Sequence, residues 1–187
     1  PFSVAELNTV LEHIDRSDFL GLRDATAIEL LYSTGIRQAE LIGLKTSDID
    51  WAQGQIRVLG KRNKERLIPI IPALATTLKH YMAQRNAYPG TSAHSFLLVT
   101  NKGNKIYPAF VYRLIKTYFR SVSNKISTSP HVLRHSFATH MLDAGADINV
   151  VKEILGHESL AATQEYTKVQ LPKVQDAYRA AHPRAKK

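Results

Sequence analysis

Hydrophobic residues recur at helical spacing along the first quarter of the chain, between residues that typically begin or end helices. Residues 3–6 have the form of a capping box, so a first helix should run to about Ile14. A second helix is predicted over residues 20–33, and Gly35 supplies the left-handed residue that ends it. One or two further helical turns should follow over residues 37–44.

The second half of the chain is also predicted to be mainly helical. Proline, aspartate or serine at the starts and glycine at several ends delimit helices over residues 72–85, 108–122, 130–142, 147–155, 159–166 and 172–181. The last of these carries Val174, Ala177 and Ala181 at three- and four-residue spacing. Such a narrow apolar stripe must be buried, either on its own domain or on a neighbouring protomer.

Short strands with β-type residues interrupt the helical pattern. Residues 55–59 and 66–70 are predicted as two strands that flank a basic hairpin loop, and residues 96–99 as a third. No internal repeat or linker divides the chain. The pattern therefore predicts one domain of the α+β class, mainly helical, with a small three-stranded antiparallel sheet.

Composition excludes several classes of protein. The 187 residues are 44% hydrophobic and 22% charged, as in a globular domain, and include no cysteine. Disulfide scaffolds, thiolate zinc sites and cysteine nucleophiles are therefore excluded, and a reducing cytoplasm fits this composition. No apolar run reaches the roughly 18 residues that a membrane-spanning helix needs.

Positive charge is concentrated in the middle of the chain. The net charge is +9, and residues 51–142 contain fourteen basic residues against the single acid Glu65. Residues 1–50 contain nine acidic residues against four basic ones. A basic segment of this kind favours nucleic acid as a partner, although an acidic membrane or a merely solvated surface also fits the charge alone.

The helix predicted over residues 130–142 has an unusual inward face. A spacing of 100° per residue places Arg134 and His131 on the arc of the apolar residues, and His135, Ser136, Thr139 and His140 opposite. An inward arginine needs an anion, either a buried carboxylate or the phosphate of a ligand. A second donor at His131 favours phosphate. A zinc site made by the histidines is disfavoured, because the helical phase separates them.

Two further basic residues follow breaks in the predicted structure. Arg37 comes directly after the end of the second helix, and Glu40 is close enough to orient it or to form a surface ion pair with it. Lys61 opens the basic hairpin loop. Spacing alone does not distinguish it from Arg62 or Lys64 as a group that reaches a reaction centre.

A histidine and a tyrosine near the carboxyl end complete the candidates. His157 follows the helix end at Gly156, and Tyr166 lies nine residues later among polar residues. A phenol with a pKa of about 10 is mostly neutral at pH 7, so Tyr166 needs activation by neighbouring groups to act as a nucleophile. Otherwise it is a half-packed aromatic residue.

Five segments together resemble the ordered boxes of the tyrosine recombinases, especially the bacterial Xer type. They are TGIRQAEL at 34–41, GKRNKER at 60–66, HVLRHSFATHML at 131–142, LGH at 155–157 and Tyr166, and the resemblance spans about residues 20–182. It implies an activating set of Arg37, Lys61, His131, Arg134 and His157, with Glu40 in support and Tyr166 as nucleophile.

The resemblance also implies a reaction and its partners. Tyr166 would cleave DNA through a 3'-phosphotyrosyl link, and Lys61 would protonate the leaving 5' oxygen, with no metal or other cofactor. The partners implied are double-stranded DNA with a specific site and a homo- or hetero-tetramer of recombinase protomers, in the cytoplasm. The hairpin residues expected to contact DNA are Arg57, Arg62, Lys64 and Arg66.

The biological role is expected to be Xer-type resolution of chromosome dimers. An integrase of a phage or mobile element is the alternative within the same chemistry, and a non-cleaving DNA-binding module is the alternative from another class. The family has an amino-terminal helical domain that is not recognised here, so residues 1–187 are expected to be the catalytic domain of a longer protein. The apolar stripe of the last helix is then expected to couple neighbouring protomers.

Overall fold

The structure is a computed structural model that describes residues 1–122, 128–157 and 170–185. The helices of these residues are α1 (Val4–His13), α2 (Phe19–Thr34), α3 (Gln38–Gly43), α4 (Pro72–Ala87), α5 (Pro108–Phe119), α6 (Pro130–Asp143), α7 (Ile148–Leu155) and α8 (Gln170–Ala181). The strands are β1 (Ile49–Asp50), β2 (Gln55–Leu59) and β3 (Glu65–Pro69). The helix predicted over residues 159–166 lies outside the described residues, whereas the other predicted helices are confirmed.

Helix α2 runs through the centre of the core. Twelve of its sixteen residues are buried, so it is covered on all sides, and it packs against α4 and α6. The Asp18 carboxylate caps its start by accepting a hydrogen bond from Gly21 N at 2.7 Å. Its end at Gly35 has a φ of 62°, the left-handed conformation expected there.

The sheet has three antiparallel strands in the order β1-β2-β3, as the α+β prediction required. Val58 in β2 lies opposite Arg66 in β3, and the two strands are joined by the basic loop. The third strand was placed wrongly, however, because it is Ile49–Asp50 and not residues 96–99. Within the described residues, the segment 96–99 forms only isolated bridges, to Lys45 and Lys105.

Side chains of α4 explain why residues 96–99 do not join the sheet. The Tyr81 hydroxyl donates to Leu97 O at 2.8 Å, and Arg85 Nη2 donates to Phe96 O at 2.6 Å. The carbonyl groups that a neighbouring strand would use are therefore occupied by side chains. The apolar run at 97–99 is buried against the helices instead.

Helix α6 is buried over a wider arc than the apolar pattern indicated. His131 is exposed, whereas Ser136 and His140 are buried, so the predicted orientation of these three residues was wrong. Ser136 Oγ accepts a hydrogen bond from Phe2 N at 2.7 Å, and His140 Nδ1 lies 2.9 Å from the Tyr32 hydroxyl. Ser136 and His140 on the polar side of α6 are thus covered by the start of the chain and by α2, whereas His135 on the same side is exposed.

Helix α8 packs against its own domain. Val174, Tyr178 and Ala181 are buried in the core, and the Tyr178 hydroxyl donates to Ser33 O. In this chain the stripe is therefore packed on its own domain, which is one of the two placements that the sequence left open. No helix among residues 1–122, 128–157 and 170–185 is long and apolar enough to cross a membrane.

Candidate active site

The turn after α2 brings two arginines from distant segments together. Gly35 has to be glycine, because its φ is positive and a Cβ atom would come within 2.7 Å of Leu155 Cδ2. Its carbonyl accepts a hydrogen bond from Arg134 Nη1, and Arg37 follows two residues later at the start of α3. The end of α2 therefore places Arg37 of the first segment beside Arg134 of α6.

The carboxyl end of α7 accepts hydrogen bonds from three arginines. Arg134 Nη2 lies 2.7 Å from Leu155 O, and Arg66 Nε lies 2.7 Å from Ile154 O. Arg37 approaches Leu155 O and Gly156 O, each at 3.5 Å. The last carbonyls of a helix carry the negative end of its dipole and have no partner within the helix. These carbonyl groups hold the three guanidinium groups together, although none of the carbonyl oxygens carries a full negative charge.

Glu40 is the buried carboxylate of this cluster. Arg66 Nη1 and Nη2 donate to its two oxygens at 2.8 and 2.7 Å, in a bidentate pair. Arg37 donates through its backbone N at 2.8 Å and its Nη1 at 3.2 Å. Burial acts to raise the pKa of Glu40, but hydrogen bonds from Arg66 and from the Arg37 backbone lower it. Glu40 is therefore an anion at neutral pH.

The crowding of positive charge perturbs two titratable groups. Burial, followed by the charge of Arg37, lowers the pKa of Arg134 to about 10, so Arg134 stays charged at neutral pH. The pKa of His157 is also lowered, by partial burial and then by the charges of Arg134 and Arg37. A neutral imidazole is favoured at this position, and it can both accept and donate a proton.

The remaining residues of the predicted catalytic set are not all joined to this cluster. Lys61 is exposed in the β2–β3 loop, and no hydrogen bond among the described residues links it to the three arginines. His131 is exposed at the start of α6, one turn before Arg134. Tyr166 lies outside the described residues, so its role stays a prediction.

Three of the four residues predicted to contact DNA are exposed on the hairpin. Arg62 and Lys64 are exposed in the loop, where Arg62 and Asn63 both have positive φ values, of 58° and 56°. Arg57 is exposed on β2 and pairs with Asp48 at 3.0 Å. Arg66 differs from the prediction, because its side chain is only 12% exposed and its donors face Glu40 and Ile154.

No local pattern in the sequence could predict this position of Arg66, because its partners are 26 and 88 residues away and one of them is a main-chain carbonyl. Within the described residues, no group of three or more His, Asp or Glu side chains is arranged to hold a metal ion. The cluster instead presents guanidinium forks and an imidazole. Such groups bind phosphate oxygens through charge-assisted hydrogen bonds.

Comparison with known proteins agrees with this chemistry. The sequence profile described as "Phage integrase family" matches residues 2–171. The chain belongs to the phage integrase family. Among curated members, tyrosine recombinase XerC of Chlorobaculum tepidum is 42% identical over 168 residues, which cover 87% of this chain and 50% of the relative. XerC of Myxococcus xanthus is 40% identical over 186 residues, which cover 97% of this chain and 62% of the relative.

Solved structures of phage integrase family members have the same fold. XerH site-specific recombinase bound to its difH substrate, in a pre-cleavage complex, superposes with a TM-score of 0.74 at 26% identity, covering 90% of this chain and 50% of XerH. The chain thus spans between half and two thirds of the length of the relatives named here. The recombinase fold predicted from the ordered boxes is confirmed.

Proposed function

We propose that this chain carries the catalytic site of a site-specific DNA recombinase that cleaves and rejoins DNA strands through a 3'-phosphotyrosyl intermediate. The observation that carries the proposal is the convergence of Arg37 and Arg134 beside His157 at the end of α7. Two charged forks and a neutral imidazole at one point suit the non-bridging oxygens of a phosphodiester. The XerC relatives and the DNA-bound XerH structure support the same reaction.

In the proposed cleavage step, the Tyr166 oxygen attacks the scissile phosphorus. One P–O bond forms to the tyrosine while the bond from phosphorus to the 5' oxygen breaks. The phenolic proton passes to neutral His157, and the leaving 5' oxygen takes a proton from Lys61. Negative charge grows on the non-bridging oxygens in the transition state, where Arg37, Arg134 and His131 stabilise it. Rejoining is the reverse of these steps and requires no cofactor.

The test compares the unmodified chain with Tyr166→Phe in an assay for covalent protein–DNA adducts. On a nicked duplex that loses a short strand after cleavage, the unmodified chain is expected to accumulate a protein–DNA adduct that survives denaturation. Tyr166→Phe is expected to form none and to keep its DNA affinity, because it lacks only one oxygen. An adduct of undiminished yield with Tyr166→Phe would assign the nucleophile to another residue. EDTA is expected to leave the yield of the adduct unchanged. If EDTA abolished the adduct and added magnesium or zinc restored it, the mechanism would be contradicted.

The proposed biological role is Xer-type resolution of chromosome dimers, supported by the similarity to XerC proteins over most of the chain. DNA trapped covalently in cells is then expected to map to one fixed chromosomal site. Recovery of the ends of a mobile element would favour the integrase alternative. DNA binding without any adduct would favour a non-cleaving DNA-binding module.

The proposed assembly is a tetramer of recombinase protomers, of one or two kinds, on double-stranded DNA in the cytoplasm. Arg57, Arg62 and Lys64 are proposed to contact the DNA backbone, because they are exposed cations on one hairpin. Phosphate contacts of this kind position a protein on the duplex and do not by themselves read sequence. The target sequence is therefore expected to be recognised elsewhere.

A further inference from the structure

Arg66 occupies the centre of the arginine cluster, although it is shielded from any ligand. Its Nε, Nη1 and Nη2 all have partners, namely the Ile154 carbonyl and both oxygens of Glu40. Its side chain is 12% exposed, against 33% for Arg37. A guanidinium whose donors are used in this way has little capacity left for a phosphate. It has a fixed geometry that a lysine cannot reproduce.

The contacts lead from Arg66 through Glu40 to Arg37. Glu40 accepts the backbone N–H of Arg37 and its Nη1 as well as the Arg66 fork. The other contacts of the Arg37 guanidinium, to Leu155 O and Gly156 O, are both 3.5 Å and therefore weak. The orientation of Arg37 consequently depends mainly on Glu40, and that of Glu40 on Arg66.

Gly156 leaves room for this arrangement, and Gly60 lies at ordinary contact distance from it. A Cβ atom on Gly156, where φ is 63°, would lie 3.2 Å from both Cδ and Nη1 of Arg66. A Cβ atom on Gly60 would lie 3.6 Å from Arg66 Nη1 and from Glu40 Oε1. Gly156 follows α7 and Gly60 follows β2, so Arg66 is held between the hairpin and the end of the helix.

We infer that Arg66 is a positioning residue, which fixes the Arg37 fork through Glu40 in the orientation that binds the scissile phosphate. The inference rests on the proposed function for its substrate, but the contacts from Arg66 to Arg37 are independent of it. It replaces the expectation that Arg66 contacts DNA. Because the residue acts through Arg37, its loss should slow cleavage and leave DNA affinity nearly unchanged.

The kinetic test compares Arg66→Met, Glu40→Gln and the double variant in single-turnover cleavage of the nicked duplex. Each single variant is expected to be slower by about 10- to 100-fold, by analogy with the loss of residues that orient metal ligands. The double variant is expected to be no slower than the slower single one, because both changes break the same chain of contacts. The dissociation constant for DNA should change by less than about threefold for each.

Arg120→Met is the matched control, since it removes one positive charge from the exposed far end of α5. It is expected to cleave at the unmodified rate. Effects of Arg66→Met and Glu40→Gln that multiply in the double variant would overturn the inference. So would a loss of DNA affinity large enough to account for the slower cleavage.

A second readout does not need activity. The ¹H–¹⁵N signal of the Arg37 Nε–H group, assigned by its disappearance in Arg37→Lys, is expected to shift and broaden in Arg66→Lys. Arg66→Lys keeps a positive charge beside buried Glu40, so this variant is expected to fold. Its thermal midpoint is measured to check that it does. An unchanged Arg37 signal in folded Arg66→Lys would refute positioning even if the unmodified chain forms no adduct. Failure of the adduct alone would count against the proposed function and not against this inference.

Discussion

The carboxyl-terminal segment is held to the core by a buried ion pair, and removing one partner should measurably destabilise the domain. Arg184 Nη2 lies 2.8 Å from Glu29 Oε1, and the Glu29 side chain is 1% exposed in the middle of α2. Arg184 Nη1 also lies 3.3 Å from Asn8 Oδ1 on α1. Arg184→Met would leave the Glu29 carboxylate buried without this partner.

The size of the effect follows from what remains beside Glu29. Removal of one partner from a buried pair costs about 3–5 kcal/mol. Arg16 Nη1 lies 3.8 Å from Glu29 Oε2, too far for a hydrogen bond but close enough to offset part of the charge. We therefore expect a loss of about 3 kcal/mol in the free energy of unfolding, or roughly 6–12 °C in Tm for a domain of this size.

Urea unfolding followed by circular dichroism measures this loss, provided that the slope with urea stays constant. Glu29→Gln should restore about 2 kcal/mol to Arg184→Met, because it removes the unpaired charge. Arg179→Met removes an exposed charge from α8, the helix that precedes Arg184, and is the control, which should cost less than about 0.5 kcal/mol. If Arg184→Met costs no more than Arg179→Met, the segment is not anchored on Glu29 and the reasoning fails.

Two further predictions concern protons and salt. Burial lowers the pKa of His182 from 6.5 to about 3. Between these pH values the unfolded chain binds a proton that the folded chain does not. The free energy of unfolding should therefore be at its full value above pH 6.5 and should decrease by up to about 1.4 kcal/mol for each pH unit below 6.5. Unfolding of His182→Leu between pH 6.5 and 5 should lack this slope, and identical slopes would contradict it. DNA affinity should weaken steeply as the salt concentration rises. Arg62→Ala and Lys64→Ala should each reduce the slope of log affinity against log salt concentration by about one. An unchanged slope would show that the residue does not contact DNA.

The same anchor changes what is expected of a truncated chain. The apolar stripe of the last helix led to the expectation that this part of the chain couples neighbouring protomers. In the structure this segment contributes buried Tyr178, fully buried His182 and the Arg184–Glu29 pair. Its deletion should therefore destabilise the isolated domain, and coupling to a neighbour would first require these contacts to break.

Local features of the sequence predicted the fold well. The Ser3–Glu6 capping box, Asp147 at a helix start, and Gly35 and Gly156 at helix ends are all used as predicted. Each of these signals depends on hydrogen bonds between residues at most four apart. Such bonds form wherever the same short sequence occurs.

Long-range contacts were beyond prediction from the sequence. Ser136 is buried by the backbone of Phe2, 134 residues away, and Glu29 by Arg184, 155 residues away. A helical wheel divides α6 into an apolar and a polar side, but it contains no information about a polar partner brought from the other end of the chain. The burial of Ser136 and of His140 was mispredicted for this reason.

The different partners of the three arginines determine the charge left for a substrate. Arg66 is neutralised by the full charge of Glu40, whereas Arg134 is held by the carbonyls of Gly35 and Leu155. Arg37 shares Glu40 and approaches carbonyls at the end of α7. Carbonyl dipoles orient a guanidinium but do not cancel its charge, so three cations and one carboxylate leave about +2 at the site. A carboxylate for each arginine would have cancelled the positive charge that attracts a phosphodiester.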